Sequence, residues 1–212
     1  MIEVIFHIGM GKTGTTSLQH VLRSSHDVLQ SAGIRYLGMW QELISEKYCD
    51  YVGFQGFRQL PVDQQPAAAE RLVHQLTRLA SQDGIGRFLF SNEQYFENID
   101  HLHPFFERLR QFVTVRFFLW VRPADAWLPS ACAQWGILHK TNVGPVQPFV
   151  DQADRLILQY RHVATWKRLF GDSVVIRPFI KGVDPVADFA EQLGLPLPVS
   201  QDRRQMRPDA AD

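Results

Sequence analysis

The sequence predicts an α/β protein, a three-layer sandwich with a mainly parallel central sheet between two layers of helices. Two observations support this fold class. The most apolar segments are short and rich in β-branched or aromatic residues, and segments with helical spacing of apolar residues alternate with them. Strands that are apolar throughout are typical of parallel sheets, because helices cover both faces. The length of 212 residues suits a single domain.

Apolar runs mark the expected strands. These are Ile2–Ile8, Arg87–Ser91, Val115–Val121 and Val174–Ile176. The first run is interrupted by Gly9, and the run at Val115 has no polar face, as expected for a strand in the middle of the sheet.

Helical spacing of apolar residues marks the expected helices. One begins at about Thr15, a second includes Leu72 to Ala80, a third includes Leu156 to Phe170, and the last covers Pro185–Leu193. Gly194 and Pro196 end the last helix.

Two further segments lack a clear period. The stretch 38–66 contains Trp40, Tyr48 and several other aromatic residues, and we expect it to be an insertion or lid within the single domain. The segment 201–212 is polar, so we expect a tail with frayed structure.

The composition excludes several functional classes. Twenty-two basic residues balance 22 acidic ones, which argues against a nucleic-acid-binding surface. Cys49 and Cys132 are too few for a disulfide framework or a zinc site. No apolar run approaches the roughly 20 residues that span a bilayer, and no signal peptide is evident. We therefore expect a cytoplasmic protein.

The segment between the first strand and the first helix indicates a phosphate site. It reads Gly9-Met10-Gly11-Lys12-Thr13-Gly14-Thr15-Thr16-Ser17. A glycine loop before a helix directs backbone N–H groups at one point, and the helix dipole adds positive potential there. Lys12 adds a mobile charge, and the threonines add hydroxyl donors.

This loop differs from the nucleoside-triphosphate loop G-x-x-x-x-G-K-[ST]. The position of its first glycine is Phe6, inside the strand, so the loop before Lys12 is shorter. The strand Val115–Val121 also ends in Arg122, where a magnesium-binding protein would have an Asp.

Two other side chains follow the ends of predicted strands. Arg122 follows Val121, and Ser130 lies eight residues later on the next helix, where both could bind one phosphate. Glu93 follows Arg87–Ser91 and is a candidate general base, with a solvated loop carboxylate or a Glu at a helix amino terminus as the alternatives. His7 is expected to be a structural histidine. The pair His101 and His103 has no acidic or Cys partner nearby for a metal site.

The run from Lys12 to Gln19 resembles the 5′-phosphosulfate loop of sulfotransferases that use 3′-phosphoadenylyl sulfate (PAPS), especially bacterial ones. The Arg122…Ser130 pair resembles the 3′-phosphate motif of that family. Glu93 resembles the Glu base of its carbohydrate-type members. Ser17 stands where many cytosolic eukaryotic members have an aromatic residue that stacks on adenine.

The resemblance implies a P-loop NTPase-like sulfotransferase fold, PAPS as sulfuryl donor and 3′,5′-adenosine bisphosphate (PAP) as product. Lys12 and Glu93 would be catalytic, and Arg122 and Ser130 would bind the 3′-phosphate. The 5′-phosphosulfate would be bound by Gly11, Lys12, Thr13, Gly14, Thr15, Thr16 and Ser17. No metal is expected.

The acceptor implied by this resemblance is a hydroxyl group of a carbohydrate or small molecule. Two alternatives remain open at this stage. One is a P-loop kinase or NTPase, and the other is a nucleotide-binding member of the family that no longer catalyses transfer.

Overall fold

The structure is a computed structural model that describes residues 2–140 and 143–198. The predicted polar tail at 201–212 lies outside the described residues. The strands are β1 (Glu3–His7), β2 (Ile34–Gly38), β3 (Arg87–Ser91), β4 (Thr114–Val121) and β5 (Val174–Pro178). The helices are α1 (Thr15–Ser24), α2 (His26–Ser31), α3 (Tyr51–Arg58), α4 (Gln65–Asp83), α5 (Gln94–Glu97), α6 (Ile99–Leu109), α7 (Ala124–Ala131), α8 (Phe149–Ile157), α9 (Arg161–Phe170) and α10 (Pro185–Leu193).

The sheet has five strands in the order β2-β3-β1-β4-β5, and every adjacent pair is parallel. β1 lies at the centre, with His7 opposite Ser91 of β3 and Phe118 of β4. The chain order on the two sides of β1 diverges, and such switch points open a crevice at the carboxyl ends of the strands. The predicted α/β fold with a parallel sheet and three layers is confirmed.

The alternation of side chains along each strand produces one core on each face of the sheet. Phe6 faces a cluster that includes residues of α3, α4, α6 and α9, whereas Ile5 faces a cluster with residues of α1 and α10. β4 alternates in the same way, with Phe117 in the first cluster and Phe118 in the second. Both faces are apolar because both are covered, which is why the sequence of these strands shows no polar side.

The structure differs from the expected elements in several places, and one of them is the helix α6, which was not predicted. β2 was not predicted, because its sequence Ile-Arg-Tyr-Leu-Gly is short and mixed, and only Ile34 is fully buried at this sheet edge. The predicted helix around Leu156–Phe170 is two helices, since a 3₁₀ turn at Leu158–Tyr160 separates α8 from α9.

The aromatic segment 38–66 was expected to be an insertion or lid. It contains α3 and two 3₁₀ turns, Glu46–Tyr48 and Val62–Gln64. Tyr48, Phe54 and Phe57 are buried in the first core cluster, and their rings pack on one another and on Phe105. Much of this segment therefore contributes to the core. Among the described helices, none has the length and apolar character needed to cross a membrane.

Candidate functional site

The loop between β1 and α1 ends in an open helix N-terminus. Gly14, the residue before α1, has φ of 78°, a left-handed conformation that favours glycine. Because glycine has no side chain, it cannot cap the first N–H groups of the helix. The first hydrogen bond of the helix is donated by the Leu18 N–H to the Gly14 carbonyl. The N–H groups of Thr15, Thr16 and Ser17 therefore lie outside the helical ladder and are suited to an anion.

The loop is supported from within and from α7. The Thr13 hydroxyl donates to the Met10 carbonyl at 2.5 Å, and the buried Trp127 indole donates to the Gly11 carbonyl at 2.9 Å. Trp135 packs directly on Gly11, since a Cβ at that glycine would lie 3.0 Å from Trp135 Cη2. These contacts hold the turn that precedes α1 in place.

A π-helix places Trp135 over the loop. It spans Cys132–Leu138 and directly continues α7, whose Pro129 lacks an N–H donor. π-Helical segments are rare and are frequent at functional sites. Gly136 within it permits close packing, because a Cβ there would overlap the Gln152 amide. The sequence analysis treated Trp127 and Trp135 only as core or groove aromatics, and their contacts with Gly11 were not predicted.

The structure brings the Arg122 guanidinium to the glycine loop. Its Nη1 donates to the Lys12 carbonyl at 3.5 Å, although 110 residues separate the two. The Arg122 carbonyl in turn accepts a hydrogen bond from the Tyr160 hydroxyl, and the Tyr160 ring packs edge-on against Trp127. The two cations expected at opposite ends of one nucleotide thus lie at the same edge of the sheet.

Lys12 is itself conformationally unusual, with φ of 70° in the region that favours glycine. Its side chain is exposed, and its charge acts on the Glu93 carboxylate. A strained residue in the loop before α1 is consistent with a functional position.

Ser130 lies on α7, partly exposed, eight residues after Arg122. Within the described part of the chain, its hydroxyl makes no hydrogen bond with Arg122, Lys12 or Thr15. A shared phosphate for Arg122 and Ser130 therefore stays a prediction.

Glu93 lies beside the loop, just before α5 at the end of β3. Burial raises the pKa of its carboxyl group above the ordinary 4.5, and the nearby charge of Glu97 adds to the increase, while the Thr15 hydroxyl and Lys12 act in the opposite direction. Its Oε1 lies 3.9 Å from the Cβ position of Gly11, next to Trp135. A carboxylate with a raised pKa at a loop of N–H donors is suited to accept a proton.

The Thr15 hydroxyl is an unpartnered polar group at the same point. The residue is 6% exposed, and its Oγ1 makes no well-formed hydrogen bond within the described ranges, although it is close enough to influence Glu93. Buried hydroxyls normally have a partner, so this atom is an indication of a polar ligand at the start of α1.

The predicted structural histidine, His7, is completely buried at the end of β1. Its Nδ1 shares a hydrogen bond with Ser91 Oγ at 2.8 Å, and burial lowers its pKa to about 3. It is therefore neutral and shielded from solvent, as expected of a structural residue. Among residues 2–140 and 143–198, no group of three His, Cys, Asp or Glu side chains is arranged to hold a metal ion.

The other histidines have separate surroundings. His101 Nε2 lies 2.9 Å from the Leu60 carbonyl, and His103 lies 3.5 Å from Glu107. His101 and His103, both on α6, thus contact different neighbours.

No protein-family profile matches the chain, and no curated protein matches it in sequence. Among solved structures, the chain is similar to the tunicamycin resistance protein of Deinococcus radiodurans, with 14% identity and a TM-score of 0.53. The match covers 94% of this chain and 99% of that one. At this identity the likeness shows a shared fold.

Proposed function

We propose that this protein transfers a sulfuryl group from PAPS to an acceptor hydroxyl group. The observation that supports this best is the convergence of Lys12, Arg122 and Glu93 on the open N-terminus of α1. Two cationic residues at one loop suit a donor that carries more than one phosphate, and a carboxyl group with a raised pKa suits removal of a hydroxyl proton.

The buried Thr15 hydroxyl supports a bound anion at this point, because it makes no well-formed hydrogen bond and could donate to a phosphate or sulfate oxygen. The N–H groups of Thr15 and Thr16, with the Lys12 amine, would bind the 5′-phosphosulfate, and Arg122 would bind the 3′-phosphate. Ser130 and Ser17 would add hydroxyl donors.

The proposed mechanism is an in-line transfer. The acceptor oxygen attacks sulfur as Glu93 takes the hydroxyl proton, so one O–S bond forms. The S–O bond to the 5′-phosphate breaks, and its electron pair stays on PAP, where Lys12 and the N–H groups stabilise the negative charge. The acceptor is a carbohydrate or another small hydroxyl compound.

The test is calorimetric titration with PAP in the presence of a chelator, followed by measurement of PAPS turnover to PAP. We expect tight metal-independent binding, and Lys12→Met should lower turnover about a hundredfold, since one preorganised donor is worth ~3 kcal/mol. Lys167→Met is the matched control, because Lys167 lies beside Asp172 just before β5, at the opposite edge of the sheet.

Binding of ATP that requires magnesium, with none of PAP, would instead identify a kinase or NTPase. PAP binding with no turnover of PAPS, across sugar and phenol acceptors, would identify a non-catalytic nucleotide-binding protein.

A further inference from the structure

The His7 ring lies directly beneath the glycine loop. Its Nε2 is 2.6 Å from the position that a Cβ on Gly9 would occupy, which is closer than such atoms approach. Nε2 is buried and has no hydrogen-bond partner in the part of the chain described here. The imidazole is held on its other sides by the Trp120 and Phe189 rings, at 5.1 and 5.8 Å between centroids. The loop at Gly9 therefore contacts an imidazole ring whose position is restricted by the packing of Trp120 and Phe189.

His7 is also hydrogen-bonded to Ser91 and Asn92, the two residues that precede Glu93. His7 Nδ1 is bonded to the Ser91 hydroxyl, and the His7 carbonyl accepts from the Asn92 N–H at 3.0 Å. Helix α1 joins this junction, because Gln19 Nε2 donates to the Ser91 carbonyl at 2.8 Å. One side chain thus contacts the loop that ends at α1 and the strand end that leads to Glu93.

We propose that His7 is a positioning residue of this site, whose ring sets the spacing between the glycine loop and Glu93. The inference rests on the proposed function. A displacement of about 1 Å between reacting groups can cost a hundredfold in rate, so a rigid spacer at this junction affects turnover without touching the substrate. The lowered pKa keeps the ring uncharged below the anion site.

The first experiment tests the contact with Gly9 through paired variants. Gly9→Ala should lower kcat for PAPS turnover at least tenfold, because its Cβ meets the imidazole. In a His7→Asn background the ring edge is gone, and the asparagine side chain can still bond Ser91, so Gly9→Ala should cost less than threefold there. Equal losses in the two backgrounds would overturn the proposal.

The second experiment distinguishes the role of His7 in setting the distance between the loop and Glu93 from a role in filling the space between Trp120 and Phe189. His7→Phe keeps an aromatic ring between Trp120 and Phe189 but loses the bond to Ser91. We expect kcat to fall about tenfold in both His7→Phe and His7→Asn after correction for stability, with KM for PAPS changed less than threefold, because each variant keeps one of the two contacts through which the ring joins the loop to Ser91. Wild-type kcat in His7→Phe would overturn the proposal. Exposed His74 on α4 provides the control His74→Asn.

A third measurement tests the role of His7 without relying on PAPS turnover, so that its failure can be distinguished from failure of the proposed function. If the wild-type chain converts no PAPS, the coupling is measured from backbone amide NMR shifts of Gly14, Thr15, Thr16 and Glu93. Gly9→Ala should shift these signals in the wild-type background and leave them nearly unchanged beside His7→Asn. Identical shifts in both backgrounds would show that His7 does not position the loop. Circular dichroism spectra of all variants should match that of the wild-type protein, which checks that each variant folds.

Discussion

The Arg122 guanidinium lies 3.5 Å from the Lys12 carbonyl, so the end of β4 and the loop after β1 meet at one point. The parallel register of β1 and β4 explains this meeting, because His7 is opposite Phe118 and both strands end at the same edge. Charged residues that follow adjacent parallel strands converge at that edge whatever their separation in the chain. The predictions below test the loop, its supports and its titratable groups.

The left-handed turn at Gly14 should be sensitive to any side chain. Gly14→Ala places a Cβ 3.0 Å from Pro185 Cγ at φ of 78°, whereas Gly84→Ala has a similar φ of 67° and no neighbour within 4 Å. We expect Gly84→Ala to lower the free energy of unfolding by about 1 kcal/mol from backbone conformation alone. Gly14→Ala should cost more and weaken PAP binding about tenfold. Equal effects of the two variants, measured by urea unfolding and calorimetry, would contradict this account of the loop.

The raised pKa of Glu93 should determine the acid side of the activity profile. kcat/KM should fall as pH decreases through that pKa, above the ordinary 4.5, because the protonated carboxyl group cannot accept a proton. Glu93→Gln should abolish this limb and lower activity about a hundredfold. Glu97→Gln should move the limb to lower pH, since the Glu97 charge contributes to the raised pKa. A limb unchanged in Glu97→Gln would mean that another group titrates.

The indole of Trp127 should stabilise the loop specifically. Trp127→Phe removes the hydrogen bond to the Gly11 carbonyl, and Trp166→Phe removes a comparable one, from Trp166 Nε1 to the Phe96 carbonyl at 3.1 Å. Each should cost about 1 kcal/mol in the free energy of unfolding. Only Trp127→Phe should also weaken PAP binding, several-fold by calorimetry. If both variants weaken binding equally, the effect is general destabilisation.

The buried His7 should make the protein sensitive to acid. Its pKa is about 3 in the fold and near 6.5 when exposed, so the unfolded chain binds more protons between these values. Stability from the neutral ring is complete above pH 6.5 and is lost as pH falls toward 3, by roughly 1.4 kcal/mol per pH unit. His7→Asn should flatten this dependence in chemical unfolding, while His74→Asn leaves it unchanged. A residual slope is expected from His162, whose pKa is also lowered by burial.

The sequence alone predicted four of the five strands and the location of the loop. Apolar runs at Arg87–Ser91 and near Val115 mark strands because both of their faces are covered, and the glycines with Lys12 predict a phosphate loop because backbone N–H groups beside a cation suit an anion. The edge strand β2 was not predicted, since a short strand with one neighbouring strand buries little apolar surface and its sequence mixes polar and apolar residues without a clear pattern.

Only the tertiary structure decided which side chains meet. The contacts of Arg122 with Lys12, of Trp127 and Trp135 with Gly11, and of His7 with Ser91 join residues from different elements. The raised pKa of Glu93 likewise depends on burial by distant parts of the chain. Local pattern reflects which face of an element is covered, whereas distances and desolvation depend on how whole elements pack, which no window of sequence contains.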